Sequence, residues 1–290
     1  MLKEIKDIDR KAGIMRITTL NERFYVKPAK NSKTGLPIYQ FYPSSTWIAG
    51  YYPKGVGFYK WLAQKGWDEA EALKVAAGDK GSKVHYACET IDKGLPIDIT
   101  KDKFINPTTG QPEELTIEEV DCVKSFTDFL EDYKPELVAN EITIFGDGYA
   151  GTIDKIYRIG KEIWVVDIKT SKQIWEEQKL QLSSYRHAEE FVLNGALVNY
   201  GELGITDKEW ANRKQAILQL GYNGYRTEGK AHYKFSEIED KYELFIVAMQ
   251  IWKNENPNSK PKEINYPLIL KSQFRTLKEN GSPKNGNKNK

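Results

Sequence analysis

The spacing of apolar and polar residues divides the chain into a definite succession of elements. MRITTLNERFYVKP (15–28) and IYQFYP (38–43) alternate enough to predict short strands. PSSTWIAGYYPKGVGFYKWLAQKG (43–66) reads as short helices broken by Pro and Gly. Residues 68–93 have helical periodicity, with interruptions expected near Gly78 and Gly81. TIEEVDCVKSFTDFLEDYKPE carries the marks of a capped helix: Thr116 as N-cap, Glu119 closing a capping box, Pro135 after the stop. Three strands are expected next, over 136–145, 149–159 and 162–170, then a long helix over 175–194. RKQAILQLGYNG and AHYKF predict two more strands. SEIEDKYELFIVAMQIWKNENP predicts a last helix, with Ser236 and Glu239 as a second capping box. The succession implies an α/β fold, a mixed central sheet flanked by helices. Residues 1–270 are expected to form a single domain with an N-terminal strand and helix elaboration. Residues 271–290, rich in Gly, Asn and Lys, form a basic tail expected to be disordered.

Composition narrows the function classes. With 290 residues, 40% hydrophobic and 29% charged, the chain can bury a sizeable core. A net charge of +2 does not announce nucleic acid by itself and leaves room for a local basic patch. The charged start MLKEIKDIDRK lacks a signal-peptide pattern, and no run of about 18 apolar residues predicts a membrane span. Cys88 and Cys122 make no disulfide framework and cannot supply four thiolates to zinc or an iron–sulfur cluster. A cytoplasmic protein with no membrane partner is expected.

The most informative stretch is GTIDKIYRIGKEIWVVDIKTSK (151–172), where Asp154 and Asp167 interrupt apolar strand text. The turns set the register. Gly160-Lys161 suits a two-residue type II′ loop pairing Ile159 with Glu162, and counting back sets Asp154 opposite Asp167. Asp147-Gly148 suits a type I′ loop pairing Gly146 with Tyr149, which sets Glu141 opposite Asp154. The three acids would then form one row across three strands about 4.8 Å apart. Like charges so placed repel, so a cation is expected among them. Lys169 shares the Asp167 face by strand alternation, while Trp164, Val166 and Ile168 make the other face apolar. Acids beside a core, with oxygen ligands only, favour Mg²⁺ or Mn²⁺. The alternative is plain surface salt bridging. Asp-x-Lys alone is weak, and recurs at Asp9-Arg10-Lys11 and Asp132-Tyr133-Lys134.

With these residues in view, the chain resembles the RecB-type branch of the PD-(D/E)XK nucleases, and phage-encoded exonucleases among them. The resemblance rests on Gly81-Ser82-Lys83-Val84-His85, Gly151-Thr152-Ile153-Asp154, Asp167-Ile168-Lys169 and Gln181-Leu182-Ser183-Ser184-Tyr185, in that order over roughly residues 40–190. It implies a restriction-endonuclease-like fold and Mg²⁺-dependent hydrolysis of DNA phosphodiesters, with Mn²⁺ as a substitute. It also implies roles. Asp154, Asp167, the backbone carbonyl of Ile168 and His85 would ligate metal, with Glu141 as a further acidic position. Lys169 would orient the attacking water, and Gln181 and Tyr185 would support the site or contact the DNA. Glu89, one turn after His85, is a candidate to orient it or to reach the metal through water. An exonuclease acting on DNA ends in phage-type recombination is implied, in the host cytoplasm, with DNA and a single-strand annealing or binding protein as partners. A flap or structure-specific endonuclease, and an inactive DNA-binding or scaffold module, remain alternatives. Branch members with an iron–sulfur cluster need four cysteines, so no cluster is expected here.

The remaining motifs carry less. Gly224–Lys230 has the spacing of a phosphate loop, but Ala231 stands where Ser or Thr is required and strand text follows, which argues against nucleotide binding. His187 and His232 lack any motif context. Tyr51, Tyr52, Phe58, Tyr59 and Trp61 cluster near lysines, where stacking on single-stranded bases and core packing are both open.

Overall fold

A computed structural model of the chain describes residues 2–19, 21–30, 35, 37–222 and 232–262. The elements run β1 (Leu2–Asp9), β2 (Ile14–Thr19), β3 (Arg23–Lys30), β4 (Pro37–Pro43), α1 (Ser45–Ala49), α2 (Val56–Lys65), α3 (Trp67–Asp92), β5 (Phe104–Ile105), β6 (Pro112–Glu113), α4 (Ile117–Tyr133), β7 (Glu136–Gly146), β8 (Tyr149–Ile159) and β9 (Glu162–Lys169). There follow α5 (Glu176–Arg186), β10 (Glu190–Leu193), β11 (Ala196–Val198), a 3-10 turn (Tyr200–Leu203), α6 (Asp207–Ala211), β12 (Lys214–Leu220), β13 (Tyr233–Glu237) and α7 (Tyr242–Glu255). The fold is mixed α/β. Its main sheet has the order β11-β10-β7-β8-β9-β12-β13, antiparallel except where β12 runs parallel to β9. Strands β1 to β4 form a separate antiparallel sheet, joined to the main one by a bridge between Ser44 and Ala150 and by a 2.9 Å hydrogen bond between the Tyr25 and Thr152 hydroxyls.

Strand alternation divides the core in two. Ile163 and Val165 of β9 face Leu180, Leu182 and Tyr185 of α5 and the Phe245 and Trp252 side of α7. Trp164, Val166 and Ile168 face the other way, against Val84, Ala87 and Cys88 of α3 and Phe126 and Phe129 of α4. The candidate site therefore has a helix layer on each side.

Several sequence expectations need correction. Helix α3 runs unbroken through Gly78 and Gly81: two glycines cost about 1 kcal/mol each in propensity, and burial of Val84, Ala87 and Cys88 outweighs this. The helix expected over 175–194 stops at Arg186, because Glu189 to Phe191 bond to the edge of β7 instead, and Asn194 (φ 50°) with Gly195 (φ 89°) then turns β10 onto β11. Ser236 is no N-cap. It lies in β13 opposite Ile217, and α7 starts later, where the Asp240 carboxylate accepts from Tyr242 N at 3.0 Å. The Asp147-Gly148 turn pairs Gly146 with Tyr149 as expected, but only Gly148 has positive φ, so it is not type I′. Asp147, with a Cβ, stays on the ordinary side of φ. Thr116 and Glu119 do form the capping box of α4. The phosphate-loop-like segment 224–230 and the tail 271–290 lie outside the described residues.

The helix-facing side of β8 carries a buried ion pair. Lys155 Nζ, 1% exposed, lies 2.7 Å from Asp92 Oδ2 at the end of α3 and donates to Asn140 Oδ1 at 2.8 Å. The Tyr157 hydroxyl donates to the same Asp92 oxygen at 2.8 Å. Removing one partner leaves an uncompensated buried charge, whereas apolar replacement of both is near neutral. Asp92→Ala is expected to cost about 3–5 kcal/mol in urea unfolding. Combining Asp92→Leu with Lys155→Met should recover at least half of that loss.

Candidate metal and active site

The site forms where β7, β8 and β9 cease to pair regularly. The β8–β9 ladder runs from Ile159–Glu162 to Lys155–Val166 and stops one step short of Asp154 and Asp167. The Asp154 carboxylate takes over, accepting the Ile168 backbone N–H at 2.7 Å. A side chain thus replaces a ladder bond, and the strands part at the two acids. On the other flank, Ile142–Ile153 and Asn140–Lys155 pair on either side of Glu141, which is left-handed at φ 48°. That conformation is strained for a residue with a Cβ. The turn-derived register thus leads to the site, but at the acids the regular ladder gives way to side-chain bonding.

His85 reaches this opening from α3. Its Nε2 lies 3.0 Å from the Ile168 carbonyl oxygen, so Nε2 carries the proton and donates. Its Nδ1 faces Glu141 Oε1 and Asp154 Oδ2, each at 3.7 Å. His85, Glu141 and Asp154 each present a ligand atom within 4.8 Å of the others. Burial lowers the basicity of His85, but the carboxylates of Asp154 and Glu141 outweigh it and hold the imidazole above its usual value.

Asp167 stands just outside that trio. It is 1% exposed, and Lys169 Nζ lies 2.6 Å from its Oδ2. The ammonium answers this buried oxygen directly, as an ion pair. Burial pushes the Asp167 carboxyl up to about 6; the nearby Asp154 charge adds to this and Lys169 opposes it. Burial works against the Lys169 ammonium, but Asp167 and Asp154 more than compensate, so it stays charged at neutral pH.

Gln181 and Tyr185 line the α5 side. Gln181 Nε2 donates to the Tyr185 hydroxyl and, at 3.0 Å, to Thr46 Oγ1 of α1. Tyr185 packs so closely on Gly151 that a Cβ there would lie 2.5 Å from its ring, which explains the glycine of the Gly151–Asp154 motif. Glu89 is turned elsewhere: its carboxylate pairs with Lys93 at 2.6 Å, and its backbone carbonyl accepts weakly from Asn140 at 3.5 Å. His187 stacks on Tyr242 and bonds Asp240, and Cys88 and Cys122 are buried free thiols. The sequence reading missed Thr46 and the Asn140–Lys155–Asp92 set behind the acids. Lys155, a second charge beside Asp154 in a strand otherwise flanked by Ile153, Ile156 and Tyr157, was the available signal for the latter.

The donor set suits a hard divalent cation: carboxylates of Asp154, Glu141 and Asp167, one carbonyl and one imidazole. A strained residue, Glu141, presenting its acid beside Asp154 is a cost that a bound cation would offset. No protein-family model and no curated protein matches this chain.

Two measurements follow from this geometry. In EDTA, ¹³C NMR should show the Asp167 carboxyl titrating near pH 6. Because that value lies above the unfolded one, folding takes up a proton between about pH 4 and 6. The Asp167 contribution to metal-free stability should therefore rise as pH falls through that window, and Asp167→Asn should abolish this component. Separately, Glu141→Gly should be more stable than Glu141→Gln by about 1 kcal/mol in EDTA, since both lose the charge and only glycine relieves the left-handed backbone.

Proposed function

We propose that this protein is a metal-dependent deoxyribonuclease of the RecB-type PD-(D/E)XK kind with a restriction-endonuclease-like fold, hydrolysing phosphodiesters from DNA ends. The observation that carries the reading is the convergence of His85, Glu141 and Asp154 beside the Asp167–Lys169 pair, at the point where β8 and β9 separate. Asp154, Glu141, Asp167, the Ile168 carbonyl and His85 would hold Mg²⁺ or Mn²⁺. A divalent ion bound there would polarise the scissile phosphate and make a bound water more acidic. The rest falls to the protein. Lys169, kept protonated by Asp167, supplies a fixed positive charge and hydrogen-bond donor to the phosphate oxygens or the attacking water. Asp154 keeps its place through the Ile168 N–H, so its geometry does not depend on the substrate. Gln181 spends both amide protons on Thr46 and Tyr185, so it supports the α5 side of the site and does not itself donate to DNA. Hydrolysis adds hydroxide to phosphorus and a proton to the leaving O3′, giving a 5′-phosphate and a 3′-hydroxyl.

The partner side of the reading is DNA, with a single-strand annealing or binding protein as a further candidate. No helix among the described residues is long and apolar enough to cross a membrane. The test is digestion of end-labelled linear DNA, single- and double-stranded, beside a closed circle, in Mg²⁺, Mn²⁺ or EDTA. Shortening of the linear DNA is expected in Mg²⁺ and Mn²⁺ and not in EDTA. Lys169→Ala should lower the rate at least 100-fold with an unchanged circular dichroism spectrum. Cutting of the circle would replace the exonuclease by an endonuclease, and no cutting under any condition would refute the enzyme.

A further inference from the structure

The segment from α1 to α3 is tied to the candidate site at both ends. At one end Thr46 accepts from Gln181, and Lys54 pairs with Glu177 of α5. At the other, His85 bonds the Ile168 carbonyl. Between them, no residue from Val56 to Glu69 is buried. Helix α2 has no buried residue at all, and the turn at Gly66 stands about 28 Å from His85 along α3 at 1.5 Å per residue. This is an arm standing off the site, not a part of the core.

Its chemistry is unusual for the chain. Residues 23–67, the run through β3, β4 and α1 that ends with α2, contain no Asp or Glu; within it α2 carries Lys60 and Lys65, and acids resume at Asp68 and Glu69 at the start of α3. The arm also exposes aromatic rings, Tyr59 at 56% and Trp67 at 69%, with Trp61 beside Phe58 at 5.9 Å between centroids. Lys65 has only an exposed pair with Glu69 at 2.7 Å, of the kind that contributes little, and Lys60 has no acidic partner among the described residues. An apolar protein partner would account for the rings but not for the missing acids. Aromatic faces interleaved with lysines, Lys60 among them without an acidic partner in the described residues, are the combination that binds single strands, bases stacking on rings and phosphates lying on cations.

We propose that the α2 arm is a stacking platform for single-stranded DNA and delivers the strand to the site below it; the delivery rests on the nuclease reading, the binding does not. Tyr59 and Trp61 stack bases, and Lys60 binds phosphate. The strand reaches the opening between Gln181 and His85 from the arm.

The test separates the two readings. Binding of a fluorescent 15-nucleotide oligothymidylate is measured by anisotropy in EDTA, where cleavage plays no part, for wild type, Tyr59→Ala/Trp61→Ala, Lys60→Glu and a control, Leu197→Ala on β11. The expected result is at least a tenfold rise in Kd for the aromatic pair. Lys60→Glu should give a weaker salt dependence, and the control no change. Equal binding by all four proteins, or no binding by wild type, would overturn the proposal. So would loss of a wild-type dimer in the aromatic variant by sedimentation, since a second copy would then cover the rings. Mg²⁺-dependent cutting is scored separately. Binding that needs the arm, without cutting, would leave this inference standing and remove the nuclease; cutting with arm-independent binding would do the reverse.

Discussion

The site depends on one hydrogen bond, from the Ile168 backbone N–H to the Asp154 carboxylate at 2.7 Å. In a regular antiparallel pair that N–H would be satisfied by a carbonyl of the neighbouring strand. Here a side chain takes it, the β8–β9 ladder ends at Lys155–Val166, and the gap admits His85 from α3. The bond also fixes an acid that would otherwise face Asp167 across the sheet. Two carboxylates so close are tolerable because Lys169 answers one and a backbone dipole answers the other.

The cost of this arrangement is spread over neighbouring residues. Glu141 is held in a backbone conformation that its Cβ disfavours, and burial pushes the Asp167 carboxyl up to about 6. Such strain persists where surrounding structure over-determines it. That structure is visible. Lys155, Asp92, Tyr157 and Asn140 bind β7, β8 and the end of α3 into one buried polar set directly behind the acids. A second set, Lys83 with Glu113 and Glu119, fixes the middle of α3 to the start of α4 and to the β5–β6 hairpin. His85 lies between these two fastenings, so its ring is aimed by helix packing and not by its own contacts alone.

The electrostatics of the site and of the arm are complementary in sign. The site gathers Glu141, Asp154 and Asp167, an arrangement that a cation would relieve and that repels a bare phosphate. Helix α2 carries two lysines and no acid. A polyanion approaching this face meets lysines and rings first, and the acids only where a cation would sit among them.

Much of the local structure was written in the sequence. Turn glycines at 148 and 160 fixed the β7–β8–β9 pairing, Thr116 and Glu119 marked the start of α4, and alternation placed Asp167 and Lys169 on one face, because these features depend on residues close in the chain. Short-range signals also misled: Gly78 and Gly81 suggested a break that burial of α3 overrode, and Ser236–Glu239 suggested a cap that pairing with β12 pre-empted. What only the tertiary structure decided is where the ladder stops, that Glu141 turns left-handed, and that Lys155 finds Asp92 sixty-three residues earlier. The ladder stops because the Asp154 side chain competes with a backbone carbonyl for the Ile168 N–H, and Lys155 turns inward because a distant acid competes with water for its charge. Such a competition has no period or spacing that a sequence can display.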